Sequence, residues 1–408
     1  MAITIQSSPA PYSSMHNDLW YVSSSNLVNQ TAFKFVYDVF VNGAQVSRTK
    51  VYPSPSAEGS YGVFNASPMV RSFVTNYFEP SGSSILVASN DKIKVDSQIR
   101  IGEEYVSGGN LITNLNLASG ALSAYNYYPP LFADILFTNE DNPLVLSDYY
   151  DNLLIENFTD DWLTERDTND ITIEYGDNFY ATFFRVTTGA YSAKIDVLNE
   201  AGSILDTASG SITFSGQMNL FNCSAASINT FAGRTLITEA AYGYDVYIKL
   251  GAAESRKLRF TQKCYPKFRQ YNLNFLNRLG GWDTMKFALV NRRSSEFTKT
   301  SYRKNEYQLS GNTMKNIDAY NKYNESTVNY AIQHKDMFHL ISDWVSQQDY
   351  DWLAQLVSSP IVYMEVQGAF FPVTISNNNY QYKLESADKL FNFEIDIEVS
   401  KYVNSQFR

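Results

Sequence analysis

The C-terminal half of the chain contains one stretch with an unusually regular hydrophobic pattern, and this pattern constrains the fold more than any other. Apolar and polar residues alternate along Tyr271–Asn277 and again along Met285–Val290, with Gly280-Gly281 between the two runs. A third alternating run, Glu296–Tyr302, follows a cluster of Asn, Arg and Ser. A period of two residues interrupted by such turn residues is typical of consecutive antiparallel strands. We expect the glycine pair to form a turn that needs a positive φ or a close backbone approach.

Length and composition extend this expectation to the whole molecule. The 408 residues exceed one ordinary core, so two to four domains are expected. The chain holds 30 Tyr and 26 Phe but only 18% charged residues, a balance that favours strands and loops. It also fits large protein–protein interfaces, although a codon bias would produce the same enrichment.

The sequence predicts a mainly β, multidomain protein, in which antiparallel β-sandwich modules precede a C-terminal α+β domain with two short helices. The predicted division is an extended N-terminal arm (1–14), an N-terminal β-rich module (15–132), an acidic segment with a middle β-sandwich (133–261) and the α+β domain (262–408). The arm is predicted because residues 1–14 are small, polar and contain proline.

Several elements can be predicted with their partners. Asn42-Gly43 should join Ala32–Val41 to a return strand at Val46–Val51, because Asn-Gly favours a tight hairpin turn. Ile93–Glu104 should be a long strand that pairs with Ile85–Ala88.

Further elements are expected in the second half. Thr187–Leu198 should form a tight hairpin, and Ser224–Phe231 a short helix. Phe338, Ile341, Trp344 and Val345 recur at a spacing of three and four, which predicts a helix, and Ser346 should cap a second helix. Ser310–Asn324 should be a long polar loop.

The residue types that usually carry chemistry are sparse. Cys223 and Cys264 are the only cysteines and fit small buried residues better than a disulfide framework or a zinc site. The three histidines, His16, His334 and His339, lack the i, i+4 spacing of a zinc pair. No phosphate loop, nucleophile elbow or calcium loop is present. We therefore expect a protein that is not an enzyme and has no metal or cofactor.

Charge is strongly segregated along a chain with a net charge of −10. Residues 134–177 hold thirteen acidic residues and one arginine, whereas residues 256–304 have a net charge of +11. The two segments could face each other within one subunit or meet between subunits, and the basic segment could instead contact DNA phosphates. A basic face exposed to solvent is the plainest alternative. The candidate assembly residues are Arg278, Arg292, Arg293, Lys299, Arg303, Lys304, Asp160 and Asp161.

Three stretches resemble virion structural proteins of tailed phages that infect Bacteroidota, including crAss-like phages. The first contains FKFVYDVFVNG and GVFNASPMVRSFV, the second is FLNRLGGWDTMKFALVNRRSSEFTKTSYRK (Phe275–Lys304), and the third is WLAQLVSSPIVYMEVQGAFFPV (Trp352–Val373) with the closing FEIDIEVSKY. The resemblance implies a tail ring, hub or baseplate component that forms a symmetric oligomer. Its implied partners are copies of itself, other tail proteins and passing DNA.

The expected location follows from the same resemblance and from two absences. The first residues lack the charged and apolar regions of a signal peptide, and no run of about 18 apolar residues occurs. We expect a protein made in the host cytoplasm and placed in the virion tail, with no membrane partner.

Two other functions remain open at this point. A host- or carbohydrate-binding adhesin or fibre module could stack sugars on Trp20, Tyr21, Tyr127 and Tyr128. A glycan hydrolase would need two carboxylates at a fixed separation, and the sequence selects no such pair.

Overall fold

The computed structural model describes most of the chain: residues 3–9, 12–16, 18–74, 78, 80, 84–89, 94–125, 160–185, 187–214, 216–263, 268–304, 307–316, 326–376, 392–400 and 403–407. The fold is mainly β, with several antiparallel sheets and a few short helices, which confirms the predicted fold class. None of the helices in these ranges is long and apolar enough to cross a membrane.

The strands and helices are numbered in chain order. The strands of the first half are β1 (Ile3–Ser7), β2 (Tyr12–Ser14), β3 (Trp20–Ser25), β4 (Thr31–Val41), β5 (Ala44–Val51), β6 (Ser54–Ser56), β7 (Gly59–Asn65), β8 (Leu86–Ser89), β9 (Lys94–Ser107), β10 (Asn110–Tyr125), β11 (Asp161–Trp162), β12 (Ile171–Ile173), β13 (Tyr180–Phe184), β14 (Tyr191–Leu198) and β15 (Ile204–Ile212). Those of the second half are β16 (Met218–Asn222), β17 (Gly243–Leu250), β18 (Ala253–Glu254), β19 (Leu258–Gln262), β20 (Tyr271–Leu276), β21 (Trp282–Phe287), β22 (Arg292–Arg303), β23 (Tyr307–Ser310), β24 (Thr313–Asn316), β25 (Thr327–Ile341), β26 (Val362–Val366), β27 (Ala369–Ile375), β28 (Glu394–Val399) and β29 (Val403–Phe407). The helices are α1 (Ser67–Arg71), α2 (Ala225–Ala232), α3 (Gln347–Trp352) and α4 (Ala354–Ser358).

The chain forms two compact units, and each unit consists of two separate segments of the sequence. The first contains Met1–Cys264 together with Leu276–Thr284, and the second contains Tyr265–Phe275 and Met285–Arg408. The predicted start of the last domain at residue 262 lies close to the first crossing, but the return of nine residues to the first unit was not foreseen.

Two sheets surround the first core of unit 1, in the strand orders β1-β3-β7-β6 and β2-β10-β9-β4-β5. The β4/β5 hairpin is present as predicted, and Asn42 and Gly43 both have positive φ, as a tight turn of this type requires. The expected N-terminal arm differs from the structure. β1 pairs with β3 and β2 pairs with β10, so residues 1–14 contribute strands to both sheets.

A second pair of sheets in unit 1 forms the middle sandwich, in the orders β11-β13-β16-β8 and β12-β19-β17-β14-β15. Its core is rich in aromatic rings, with Trp162, Phe183 and Phe221 in edge-to-face contact. Two predicted pairings are wrong here. β8 pairs with β16 and not with β9, whose neighbours are β4 and β10. β13 and β14 belong to different sheets, so Thr187–Leu198 is not a hairpin.

The segment Leu276–Thr284 is held in unit 1 by buried polar contacts. Asn277 Nδ2 donates to the Leu163 carbonyl at 2.6 Å and to Asp283 Oδ2 at 3.0 Å. Gly280 has a φ of 82°, and a Cβ on Gly281 would lie 2.6 Å from the Leu163 carbonyl oxygen. The two expected reasons for the glycine pair are therefore both found, one at each glycine.

The large sheet of unit 2 has the order β21-β20-β26-β27-β28-β25-β22. Four strand spacings separate β20 from β25, roughly 19 Å in a flat sheet, yet the Tyr271 and Phe338 rings lie 5.4 Å apart. The Leu289 N–H, just after β21, also donates to the Ile341 carbonyl of β25 at 3.2 Å. The sheet is therefore curled until its strands surround a core.

One end of the curled sheet is covered by α3 and α4. Trp352 packs against Phe275 and Tyr350 against Phe393, at centroid distances of 5.3 and 6.1 Å. The Ser346 side chain accepts from the Asp349 N–H, so the predicted cap is confirmed. The helix predicted before it is wrong, because Phe338 and Ile341 belong to the long strand β25.

Candidate functional site

β25 pairs with β22 along one side, and we call these two strands the ribbon. On its other side β25 pairs with β29 at Ala331–His334 and with β28 of the curled sheet at Met337–Ile341. The two strands pair over the whole of Arg292–Arg303, and all twelve residues of β22 are exposed. Within the described ranges no strand pairs with the outer edge of β22. Such an edge presents backbone N–H and C=O groups to any chain that approaches.

Basic side chains lie on both faces of this ribbon. Arg293 and Lys299 share one face by their even spacing, and Arg292 lies on the other. Arg293 pairs with Asp336 at 2.7 Å. In the part of the chain that the structure describes, neither Arg292 nor Lys299 has a carboxylate partner. The ribbon therefore carries unpaired positive charge. Arg303 is the last residue of β22, and Lys304 follows it half-buried.

The other three candidate assembly residues are used inside unit 1. Arg278 pairs with Glu165 at 2.6 Å, and Asp161 pairs with Arg256 at 2.5 Å. Asp160 is buried and accepts from the Tyr191 hydroxyl at 2.8 Å and from the Thr187 N–H at 2.9 Å.

These contacts join the acidic and basic segments within one compact unit. At these positions they agree with the hypothesis that the acidic and basic segments face each other within one subunit. The burial of Asp160 makes it unsuited to the assembly contact predicted for it, so the candidate assembly surface reduces to the residues of the ribbon.

A pocket of about 340 Å³ opens at the end of the curled sheet opposite to α3 and α4. Its walls are mainly apolar and come from six strands: Tyr271, Phe338, Met364, Val366, Phe371, Pro372 and Val399, with Arg269, Arg293, His334 and Asp336 as the polar members. Pockets at the mouths of curled or closed sheets are common ligand sites.

The cations of this pocket lie over aromatic rings. The guanidinium carbon of Arg269 is 5.5 Å from the centre of the Tyr271 ring, and that of Arg293 is 5.8 Å from the Phe338 ring. Asp336 accepts from the Ser295 hydroxyl at 2.5 Å and from Arg293. These donors, Ser295 first, hold the pKa of Asp336 below its usual value.

His334 adds a ring nitrogen that forms no hydrogen bond with the described residues. Its ring stacks on Phe297 at 5.8 Å, and its Nδ1 is buried with no hydrogen-bond partner among the described residues. A buried ring nitrogen without a partner carries a desolvation cost that a ligand could remove. His339 differs, because its Nδ1 lies 2.8 Å from Asp396.

Sequence reasoning identified Arg293 but missed the pocket. The lining residues are spread from Arg269 to Val399, and only the curl of the sheet brings them together. The alternation of apolar and polar residues shows which face of each strand is buried. It does not show which strands face each other across the cavity.

The aromatic platform proposed for sugar stacking is not assembled in the part of the chain that can be described. Trp20 is 47% exposed, but Tyr21 is buried at 1%. Tyr127 and Tyr128 lie outside the described residues. The described residues also contain no group of His, Cys, Asp and Glu side chains arranged to hold a metal ion.

Comparisons with known proteins add little. No protein-family model and no curated protein sequence matches the chain. Among solved structures, a β-glycosidase from Bacteroides vulgatus is similar at 10% identity and a TM-score of 0.12, over 65% of this chain and 27% of that one. A TM-score this low supports neither a shared fold nor a shared activity.

Proposed function

We propose that the protein is a structural subunit of a bacteriophage virion, a tail ring, hub or baseplate component that assembles through the ribbon of β22 and β25. One observation carries the assembly role: a strand of twelve exposed residues ends the sheet, with basic side chains on both faces. A strand whose residues are all exposed buries little apolar surface on its own. Its edge is completed when another chain adds a strand or packs against it.

The charge of the ribbon fits this role in an acidic protein. The chain has a net charge of −10, so the unpaired Arg292 and Lys299 would meet a predominantly acidic surface on another copy. A contact between two different patches on identical chains is heterologous and closes into a ring when the rotation permits. The sequence resemblance to phage tail proteins is the reason for proposing that this assembly is part of a phage tail.

The first test is the self-association of the intact protein, measured by sedimentation velocity and native mass spectrometry across protein and salt concentrations. We expect concentration-dependent association that weakens as salt screens the ribbon. The double variant Arg292→Gln/Lys299→Gln should weaken it about tenfold, or about 1.4 kcal/mol.

A matched control removes the same charge elsewhere. Arg234 and Lys263 belong to unit 1, whereas both ribbon strands belong to unit 2, and Arg234→Gln/Lys263→Gln should associate like the wild type. Equal association of the two double variants, or a wild type that stays monomeric throughout, would contradict assembly through the ribbon. Immunogold imaging of native phage particles tests the location, and label absent from the tail would refute it.

A further inference from the structure

We propose that the pocket at the open end of the curled sheet is a binding site for a small organic carboxylate with an aromatic or branched apolar body. This inference is independent of the assembly role. It rests on the net positive charge of the lining, on its apolar walls and on two polar side chains, Arg269 and His334, that are available to bind a ligand.

The charge of the lining favours an anion. Arg293 is balanced by Asp336 in an ion pair of 2.7 Å. Arg269 is exposed, and none of the described carboxylates pairs with it. His334 aside, the lining therefore has one uncompensated positive charge. A guanidinium offers parallel N–H donors that match the two oxygens of a carboxylate.

The walls favour an apolar body beside that carboxylate. Phe371 is 42% exposed, and it lies with Met364 and Val399 around the same cavity. A volume of about 340 Å³ lies at the small end of the range for ligand pockets. A single ring or branched chain with a short acidic arm would fill part of it and remove these side chains from water.

The remaining unused polar group is the His334 ring. Its Nδ1 is buried in the lining of the same cavity and has no partner among the described residues. In the tautomer that carries its proton on Nδ1, this nitrogen would donate to a ligand carboxylate oxygen. The two aromatic rings under the guanidinium groups also hold these cations in place, which reduces the entropy that ordering them costs on binding.

The test uses the full chain and three probes of one shape: phenylacetate, its neutral isostere phenylacetamide, and the cation phenethylamine. Calorimetry would give the affinities. Chemical shifts of methyl-labelled Met364, which lines the pocket, would locate the binding. We expect phenylacetate to bind at least about tenfold more tightly than the amide, since a charge-assisted bond is lost, and the cation to bind least.

Two variants distinguish binding in the pocket from a non-specific attraction of the anion to the basic ribbon. Arg269→Gln should weaken phenylacetate binding about tenfold, whereas Arg292→Gln, on the face of β22 opposite to Arg293, should leave it unchanged. The proposal is overturned if phenylacetate does not bind at millimolar concentration, if the amide binds as well as the acid, or if Arg269→Gln behaves like the wild type. A Met364 methyl signal that does not move on saturation also overturns it.

Discussion

At the scale of single residues, Gly281 lies so close to another part of the backbone that no other residue can occupy its position without displacement. Its N–H donates to Asn277 Oδ1 at 2.9 Å, and its carbonyl accepts from the Asn277 N–H at 2.8 Å. A Cβ at this position would lie 2.6 Å from the Leu163 carbonyl oxygen and 2.9 Å from the Leu163 Cβ. The turn and the neighbouring backbone are thus in contact with no space left for a side chain.

Gly281→Ala should therefore lower the free energy of unfolding of unit 1 by about 1–3 kcal/mol, the usual cost of forcing an atom into a packed site. Urea denaturation followed by tryptophan fluorescence would measure it. Gly176→Ala is the matched control. Gly176 has no positive φ and nothing within 4 Å of an added Cβ, so alanine there should be neutral or stabilise by about 0.4–1 kcal/mol. Equal effects of the two substitutions would contradict the packing argument.

The presence of a turn at Gly280-Gly281 could be predicted from the sequence because the positive φ of Gly280 is a local property. The contact of Gly281 with Leu163 and the contacts of the candidate site could not. Two Gly residues between alternating runs indicate a turn whatever the fold. The ion pair of Arg293 with Asp336 depends instead on the register of β22 against β25. The meeting of Arg269, Phe338 and Val399 around one cavity depends instead on the curl of a whole sheet. Alternation shows only which face of a strand is buried.

At the scale of elements, the start of α3 is a case where one side chain satisfies a backbone group. The Ser346 hydroxyl accepts from the Asp349 N–H at 3.1 Å and has the extended backbone of an N-cap. Helix N-termini leave four N–H groups without intrahelical partners, and a cap removes part of that cost.

Ser346→Ala should destabilise unit 2 by about 1 kcal/mol. Thermal and urea unfolding with circular dichroism detection would show it, and faster amide exchange in α3 would locate it. Ser358→Ala removes a hydroxyl at the other end of the helix pair, where it is exposed and donates only to helix carbonyls. It should change stability by less than about 0.5 kcal/mol. If Ser358→Ala costs as much as Ser346→Ala, the cap has no special role.

The element before this cap shows why a periodic pattern can mislead. Phe338, Ile341 and Trp344 have helical spacing, yet in the structure Phe338 and Leu340 are buried at a period of two and Trp344 is 56% exposed. β25 is a strand because β22 on one side and β28 on the other satisfy its backbone groups. The paired residues are between 24 (Arg303 and Thr327) and 61 (Met337 and Glu398) positions apart in the chain. A local pattern contains no information about partners at such separations.

At the scale of the whole molecule, the two compact units share one stretch of chain at β21. Trp282 belongs to unit 1, where its ring packs against Phe78 at a centroid distance of 4.6 Å and its backbone N–H donates to Thr182 Oγ1 at 2.8 Å. Phe287 is five residues later and belongs to unit 2, where it packs near Phe393 at 6.3 Å. Both side chains are almost fully buried. Neighbours on one strand thus stabilise different cores.

This arrangement predicts that the two positions affect different parts of the molecule. Trp282→Ala should remove about 3–5 kcal/mol from the stability of unit 1, and amide exchange should accelerate in Tyr180–Phe184. Phe287→Ala should have an effect of similar size in unit 2, with faster exchange in Glu394–Val399. Hydrogen exchange with mass spectrometry resolves both peptides within one experiment.

Comparison of Trp282→Ala with Phe287→Ala distinguishes separate from cooperative opening of the two units. If each variant accelerates exchange only in its own unit, the units open separately although the chain passes between them at β21. If both variants accelerate exchange equally in both peptides, the units unfold as one cooperative body. The division of β21 between two cores would then have no energetic meaning, because the loss of either side chain would be distributed over the entire chain.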